Sequence, residues 1–265
     1  WPSSPMAGPK EHASYSTTSG DMHYWGVWHG KERFSEFQIK KARFMSEYGF
    51  QSFPEFKTVQ KYALPEDYDI ESEVMAAHQR SGIGNLRIRE YMEWYYKKPK
   101  DFEHFLYVGQ VLQGYGMKMG IEAHRRDMPY CMGTLYWQIN DCWPVASWSS
   151  IDYYGNWKAM QYFVKKAFAD ILVSPVVEND SLKVYVVSDR LAAEKVKLSV
   201  DVLNIVSNET KPFMIETELE PNTSKVYYQI ALRDMIKGNN HGELAIIVAL
   251  KNGSGILSEN ILHLL

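Results

Sequence analysis

The chain has 265 residues, 45% of them hydrophobic and 23% charged, the make-up of a soluble globular protein with room for one large domain or two ordinary ones. Its formal net charge of −3 gives no electrostatic reason to expect nucleic acid or an anionic membrane as a partner, and no apolar run approaches the roughly 20 residues that span a bilayer. Aromatic residues stand out at 14%, with 8 Trp and 18 Tyr, which fits either a large core or a site where sugar C–H faces lie on rings.

In chain order, the first predicted strand is Ala42 to Ser46. Helices are predicted over Asp69 to Arg80 and Asn85 to Tyr96, the second closed by Pro99. Asp101-Phe102-Glu103 opens a longer helix with Phe105, Val108, Leu112, Tyr115 and Met119 as its apolar stripe. Gly109, Gly114, Gly116 and Gly120 weaken that helix in isolation but would allow close packing. Cys131 to Ile139 reads as a strand buried on both faces, as in a parallel sheet. Cys131 and Cys142 bracket it; eleven extended residues span roughly 36 Å, so two free thiols are expected. Asn156 to Phe168 is helical again, with Trp157, Met160, Val164 and Phe168 on one side.

The pattern changes near residue 170. Lys195 to Val206 alternates with period two, and Leu182 to Ser188, Phe213 to Leu219, Lys225 to Ile230, Glu243 to Leu250 and Gly255 to Leu262 are further strands between turn signals. The expected organisation is therefore residues 1–170 as the C-terminal part of a (β/α)8 barrel, too short for the roughly 250 residues of a whole one. Residues 171–265 are expected to form an immunoglobulin-like β-sandwich. Tyr185, Tyr227 and Tyr228 are the nearest thing to an aromatic platform there, and a spacer role is favoured over sugar binding. The chain opens on Trp1-Pro2-Ser3-Ser4-Pro5 without an initiator Met or signal peptide, so more polypeptide is expected upstream.

Three polar-aromatic clusters could carry chemistry. Glu47, in Arg43-Phe44-Met45-Ser46-Glu47-Tyr48-Gly49, would sit at the C-terminal end of a strand, where barrel enzymes place their chemistry; equally, it could be a structural carboxylate paired with Arg43. The cluster from Gly20 to Gly30 holds His23, Trp25, Trp28 and His29 and reads either as a sugar-binding wall or as buried structure. Its histidines match no zinc spacing. The third runs from Gly133 to Pro144 and is followed by Ala146 to Asp152 with Trp148; in it Trp137, near the end of Cys131 to Ile139, either floors a pocket or belongs to the core.

The wording of these segments resembles glycoside hydrolase family 2 in its β-mannosidase branch. RFMSEYGFQSFP resembles that branch's nucleophile segment. GTLYWQINDCWP followed by SWSSIDYYGNWK resembles the segment around its eighth barrel strand, and WPSSP and GDMHYWGVW the preceding part of the barrel. The resemblance covers roughly residues 1 to 175. It implies Glu47 as nucleophile, Trp137 as a subsite residue, and His23, Trp25 and Trp28 as pocket-wall residues. It also implies net retention, β-mannosides as substrate, and no cofactor or metal.

A retaining glycosidase needs two carboxyl groups about 5–5.5 Å apart. The family's acid/base Glu follows paired Asn residues on an earlier strand. Here Gly238-Asn239-Asn240-His241-Gly242-Glu243 reads as a hairpin turn of the sandwich and Ser207-Asn208-Glu209 as another, so the acid/base is expected upstream of Trp1, and the isolated chain is expected to be inactive. A β-galactosidase or β-glucuronidase of the same family, and a non-catalytic carbohydrate-binding or spacer fragment, are the alternatives. Placement outside the cytoplasm (periplasmic, secreted or lysosomal) is favoured.

Overall fold

The computed structural model of the chain describes residues 20–236 and 238–264; WPSSP lies outside them. The chain divides into two compact units, one running to His124 and resuming over Tyr130–Ala167, the other made of Arg125–Pro129 and Phe168–Leu265.

The first unit is built on parallel extended segments. Strand β1 (Met22–His23) pairs in parallel with β2 (Met45–Glu47), His23 standing opposite Glu47. Residues 132–137 extend the ladder on the other side of β2: Met45 N donates to Gly133 O at 2.9 Å, Leu135 N to Met45 O at 2.8 Å and Trp137 N to Tyr48 O at 2.9 Å. Between and after these segments run α1 (Phe56–Val59), α2 (Glu73–Ala77), α3 (Gly84–Tyr95), α4 (Phe102–Arg126) and α5 (Ala159–Ala167). Parallel strands alternating with helices make this unit a portion of a (β/α)8 barrel.

Two sequence expectations change here. Cys131 to Ile139 is extended but is not buried on both faces: Met132, Leu135, Trp137 and Ile139 are exposed. Cys131 and Tyr136 pack in or against the core, while no described residue covers those four side chains. The helix expected over Asp69 to Arg80 contracts to α2. Asp69 folds the chain ahead of it, its carboxylate accepting from Glu71 N at 2.8 Å, and Ser72 caps the helix by accepting from Met75 N. Short polar side chains offer the backbone such alternatives to helix. At the other end Gln79 leaves to bridge Ala146.

Helix α4 begins where Asp101 accepts from His104 N at 2.9 Å, an ordinary N-cap. Its buried face takes Leu112 from the predicted stripe and adds Leu106, Gly109, Gln113, Met117, Gly120 and His124, with Phe105, Val108, Tyr115 and Met119 flanking. The glycines let the helix backbone approach aromatic rings: a methyl group at Gly114 would stand 2.5 Å from Phe163, and one at Gly116 2.5 Å from Phe34. Phe34, Phe37, Tyr48, Phe50 and Tyr91 are fully buried around it, each such side chain contributing on the order of 1.5–3 kcal/mol.

The second unit is an immunoglobulin-like sandwich of two antiparallel sheets. One has the order β3–β4–β7 (Ile171–Glu178, Ser181–Ser188, Thr223–Ala231). The other runs β6–β5–β8–β9 (Thr210–Leu219, Glu194–Asn204, Leu244–Asn252, Gly255–His263). Leu182, Val184 and Val186 of one sheet meet Val196, Leu198, Val200, Ile246 and Val248 of the other in a single core. The β3–β4 hairpin turns on Asn179 and Asp180, both at positive φ, the two-residue geometry that follows strand twist. Residues 238–243 are not the hairpin turn expected: β7 and β8 lie in different sheets, joined through α6 (Leu232–Ile236) and a 3-10 turn at His241–Glu243. Tyr185, Tyr227 and Tyr228 form no flat row; Tyr228 tilts at 44° to Phe213, and the Tyr185 hydroxyl donates to Glu178. Among the described residues no helix is long and apolar enough to cross a membrane.

Candidate active site

Alternation along 45–50 sends Tyr48 and Phe50 into the helical layer, against Phe37, His124 and Tyr91, and leaves Met45, Glu47 and Gly49 on the opposite face. Glu47 ends β2. Its Oε2 accepts from Trp25 Nε1 at 3.2 Å and lies 3.4 Å from His23 Nδ1. The other ring nitrogen of His23 is 3.8 Å from the carboxylate of buried Asp21. The strand pairing of β1 with β2 delivers this group, because it sets His23 directly opposite Glu47. Arg43 plays no part in it; exposed, it lies over the Tyr130 ring at 5.3 Å.

Beside the carboxylate, two indoles and a backbone carbonyl converge on Gly49. A methyl carbon there would stand 2.4 Å from the Trp137 carbonyl oxygen, 3.1 Å from Trp148 Cδ1 and 3.2 Å from Trp25 Cη2. Trp148 meets Trp25 and Trp28 edge to face, each at 5.9 Å between ring centres. Trp137 is partly exposed, and the peptide bond that follows it is cis.

Behind the site runs a buried polar network. Gln138 Nε2 donates to Asp141 at 3.2 Å, and Ser147 Oγ donates to the same carboxylate at 2.7 Å. Gln113 of α4 donates to Phe50 O at 2.7 Å and accepts from Ser52 Oγ at 2.7 Å. Lys158, 2% exposed, donates to Ser52 O at 2.9 Å and Ser147 O at 3.2 Å. Its burial lowers the ammonium to about 7, against the opposing pull of Asp141 and Asp152. Burial likewise pushes the Tyr48 hydroxyl up; its oxygen lies 2.7 Å from Thr134 Oγ1, which is 2.8 Å from His124 Nδ1.

The structure thus brings together Glu47, His23 and Trp25, and places the Trp137 backbone against Tyr48 and Gly49. Trp28 is a correction. It has no exposed surface and packs on Phe50 and Trp148, so it braces the site from within the core and does not line it. Trp148, Asp141 and Gly49 lie in segments the sequence picked out but were given no role there, and Gln113 and Lys158 were not singled out; a buried lysine or an anchoring glutamine on a helix leaves no local mark. A cavity of about 600 Å³ lined by Tyr68, Arg89, Tyr96, Lys98 and Phe102, among others, includes none of these residues. No group of metal-ligating side chains occurs among the described residues.

Glu47 thus stands at the end of a parallel barrel strand with an indole N–H donating to it. Residues 180–264 match the model of the mannosidase Ig/CBM-like domain. The chain is 33% identical to a β-mannosidase of Capra hircus over 89% of its own length and 29% of that protein. It is also 33% identical to β-mannosidase B of Aspergillus niger over 76% of its length and 24% of that protein. The crystal structure of β-D-mannosidase from Dictyoglomus thermophilum superposes with a TM-score of 0.88 at 31% identity, covering 98% of this chain and 32% of that one. The exo-chitosanase of Amycolatopsis orientalis, at 18% identity and a TM-score of 0.72, shares the fold. The chain belongs to the β-mannosidase branch of glycoside hydrolase family 2, and it spans less than a third of the length of these relatives.

Proposed function

We propose that this chain supplies the nucleophile side of a retaining exo-β-mannosidase, with Glu47 as the nucleophile. The observation that carries the reading is Glu47 at a strand end, hydrogen-bonded by Trp25 and beside His23. A nucleophilic carboxylate must be ionised and needs donors around it. Glu47 attacks the anomeric carbon of a terminal β-mannoside and forms a covalent glycosyl-enzyme as the leaving oxygen departs with a proton from a second carboxyl group; water then releases mannose. His23 and Trp25 belong to the wall around the nucleophile, and Trp137 is the ring on which the sugar rests.

The second carboxyl is proposed to come from upstream polypeptide that also carries the remaining strands. The parallel ladder holds three segments among the described residues, whereas a closed barrel of this class has eight. On this reading the isolated chain has no useful glycosidase activity. The test is trapping of the full-length polypeptide with a 2-fluoro-mannoside bearing a good leaving group, then peptide mapping by mass spectrometry. Label on Glu47 is expected. Label on another carboxylate would overturn the site, and reaction with a galactoside analogue alone would overturn the sugar.

A further inference from the structure

We propose that Trp148 is a positioning residue for the nucleophile: it holds the Trp25 indole in the orientation in which its N–H donates to Glu47. The inference rests on Glu47 being the nucleophile. Trp25 is fixed at one end by its 3.2 Å bond to Glu47, and a single bond to a partly exposed carboxylate leaves the ring free to tilt. His29 lies against one side of it, 5.4 Å between ring centres at 58°, and Trp148 stands across it at 75°; of the two, Trp148 is the one anchored in the core. Trp148 is wedged from behind by Trp28 at 74°, and Trp28 has no exposed surface and is itself braced at 87° on Phe50. Gly49 closes the remaining side, with Trp148 Cδ1 and Trp25 Cη2 both within 3.2 Å of where a methyl carbon would stand. The Trp148 backbone is held too, its carbonyl accepting from Gln138 N at 3.1 Å, the residue after Trp137.

The Trp148 indole N–H is buried and has no hydrogen-bond partner among the described residues. Such a group is costly, and it does nothing to fix the ring. Packing alone sets its place, so the ring, and not its N–H, is what the site uses. A benzene ring in the same slot keeps the edge-to-face contact; an aliphatic chain of similar bulk does not.

The experiment uses the full-length polypeptide and 2-fluoro-mannoside trapping, with the rate constant for covalent capture and the half-saturating concentration read separately. Trp148→Leu is expected to slow capture about tenfold, the rate equivalent of a weakened charge-assisted hydrogen bond, with half-saturation changed by less than about threefold. Trp148→Phe is expected to stay within about threefold of the unmodified protein in both. Trp25→Phe, which deletes the donor, is expected to match or exceed the Trp148→Leu loss, and the double variant to be no slower than Trp25→Phe, because both act on one bond. Fully additive losses, an equal loss in Trp148→Phe, or a loss confined to half-saturation would overturn the proposal. If Trp148→Leu does not fold, Trp148→Met is read in its place. An unmodified polypeptide that is not captured on Glu47 would overturn the nucleophile reading itself, before any variant is made.

Discussion

Gly49 is required by what approaches it, not by its backbone angles. The nearest atom to an added methyl carbon would be a main-chain oxygen at 2.4 Å, with indole atoms next, and a backbone atom cannot turn aside as a side-chain tip can. Gly49→Ala is therefore expected to displace the Trp137 segment, cost about 1–3 kcal/mol in stability as an overpacked site does, and slow trapping by at least about a hundredfold. Unchanged trapping kinetics would show that the Trp137 carbonyl and the two indoles need not meet there. Lys158 invites a different experiment. Burial lowers its folded value to about 7 from about 10.4 in an unfolded chain. Between those values the unfolded state binds the extra proton, so this group's penalty shrinks as pH rises and is largest below about 7. Lys158→Met, compared with the unmodified protein by urea unfolding, is expected to be relatively more stable near pH 6 and relatively less stable near pH 9. The same gap at both would refute it. At this scale the sequence was a partial guide. Glu47 was legible as a strand-end carboxylate in a recognisable run. Trp28 misled because its cluster mixes rings and imidazoles, and nothing local says which ring faces inward. Trp148 and Gly49 gain their meaning only when segments about a hundred residues apart come together.

Among the elements, α4 shows most plainly why periodicity and burial part company. Of the predicted stripe Leu112 is fully buried and Phe105, Val108, Tyr115 and Met119 are half-buried against the core, yet the buried face also takes in Gly109, Gly114, Gly116, Gly120, Gln113 and His124 beside Leu106, Met117 and Ile121. Rings from other segments fill the space the glycines leave. Replacing Gly116 with Ala gains about 1 kcal/mol of helix propensity but drives a methyl group to 2.5 Å from Phe34, so a net loss of about 1–2 kcal/mol is expected. At Gly109 the nearest atoms would be Met92 and Ile88 at 3.7 and 3.8 Å, ordinary contact, so Gly109→Ala is expected to stabilise by up to about 1 kcal/mol. Thermal midpoints moving in opposite directions would bear this out; a rise in both would show that Phe34 yields. The Cys131 to Ile139 segment erred the other way. Its apolar run promised burial on two faces, but burial is a property of neighbours, and Leu135 remains 56% exposed.

For the molecule as a whole, the two units differ in how much of their stability lies within reach of the described residues. The barrel portion keeps three parallel segments and leaves Met132, Leu135, Trp137 and Ile139 exposed, an edge that pairs readily with other chains. The sandwich is different. Period two was readable along Leu182–Ser188 and Lys195–Val206 because one face of each strand is wet. β3 was missed because Ile171, Leu172 and Val173 run without alternation and Pro175 argues against a strand, though β3 is an edge strand, where proline is tolerated. With β3 included, both sheets are complete around a shared core, and Asn260 Nδ2 donates to Val173 O at 2.9 Å between β9 and β3. Residues 168–265 produced alone are therefore expected to unfold in one cooperative calorimetric transition of about 60–80 kcal/mol, the enthalpy usual for a domain near 100 residues. Its midpoint should lie a few degrees below that of a version carrying Arg125–Pro129, because Arg126 donates to Ser174 Oγ at 2.7 Å and its carbonyl accepts from Ser224 Oγ at 2.9 Å. A broad melt without a cooperative peak would mean that the seven strands do not suffice, and that those contacts are a condition of folding and not an addition to it.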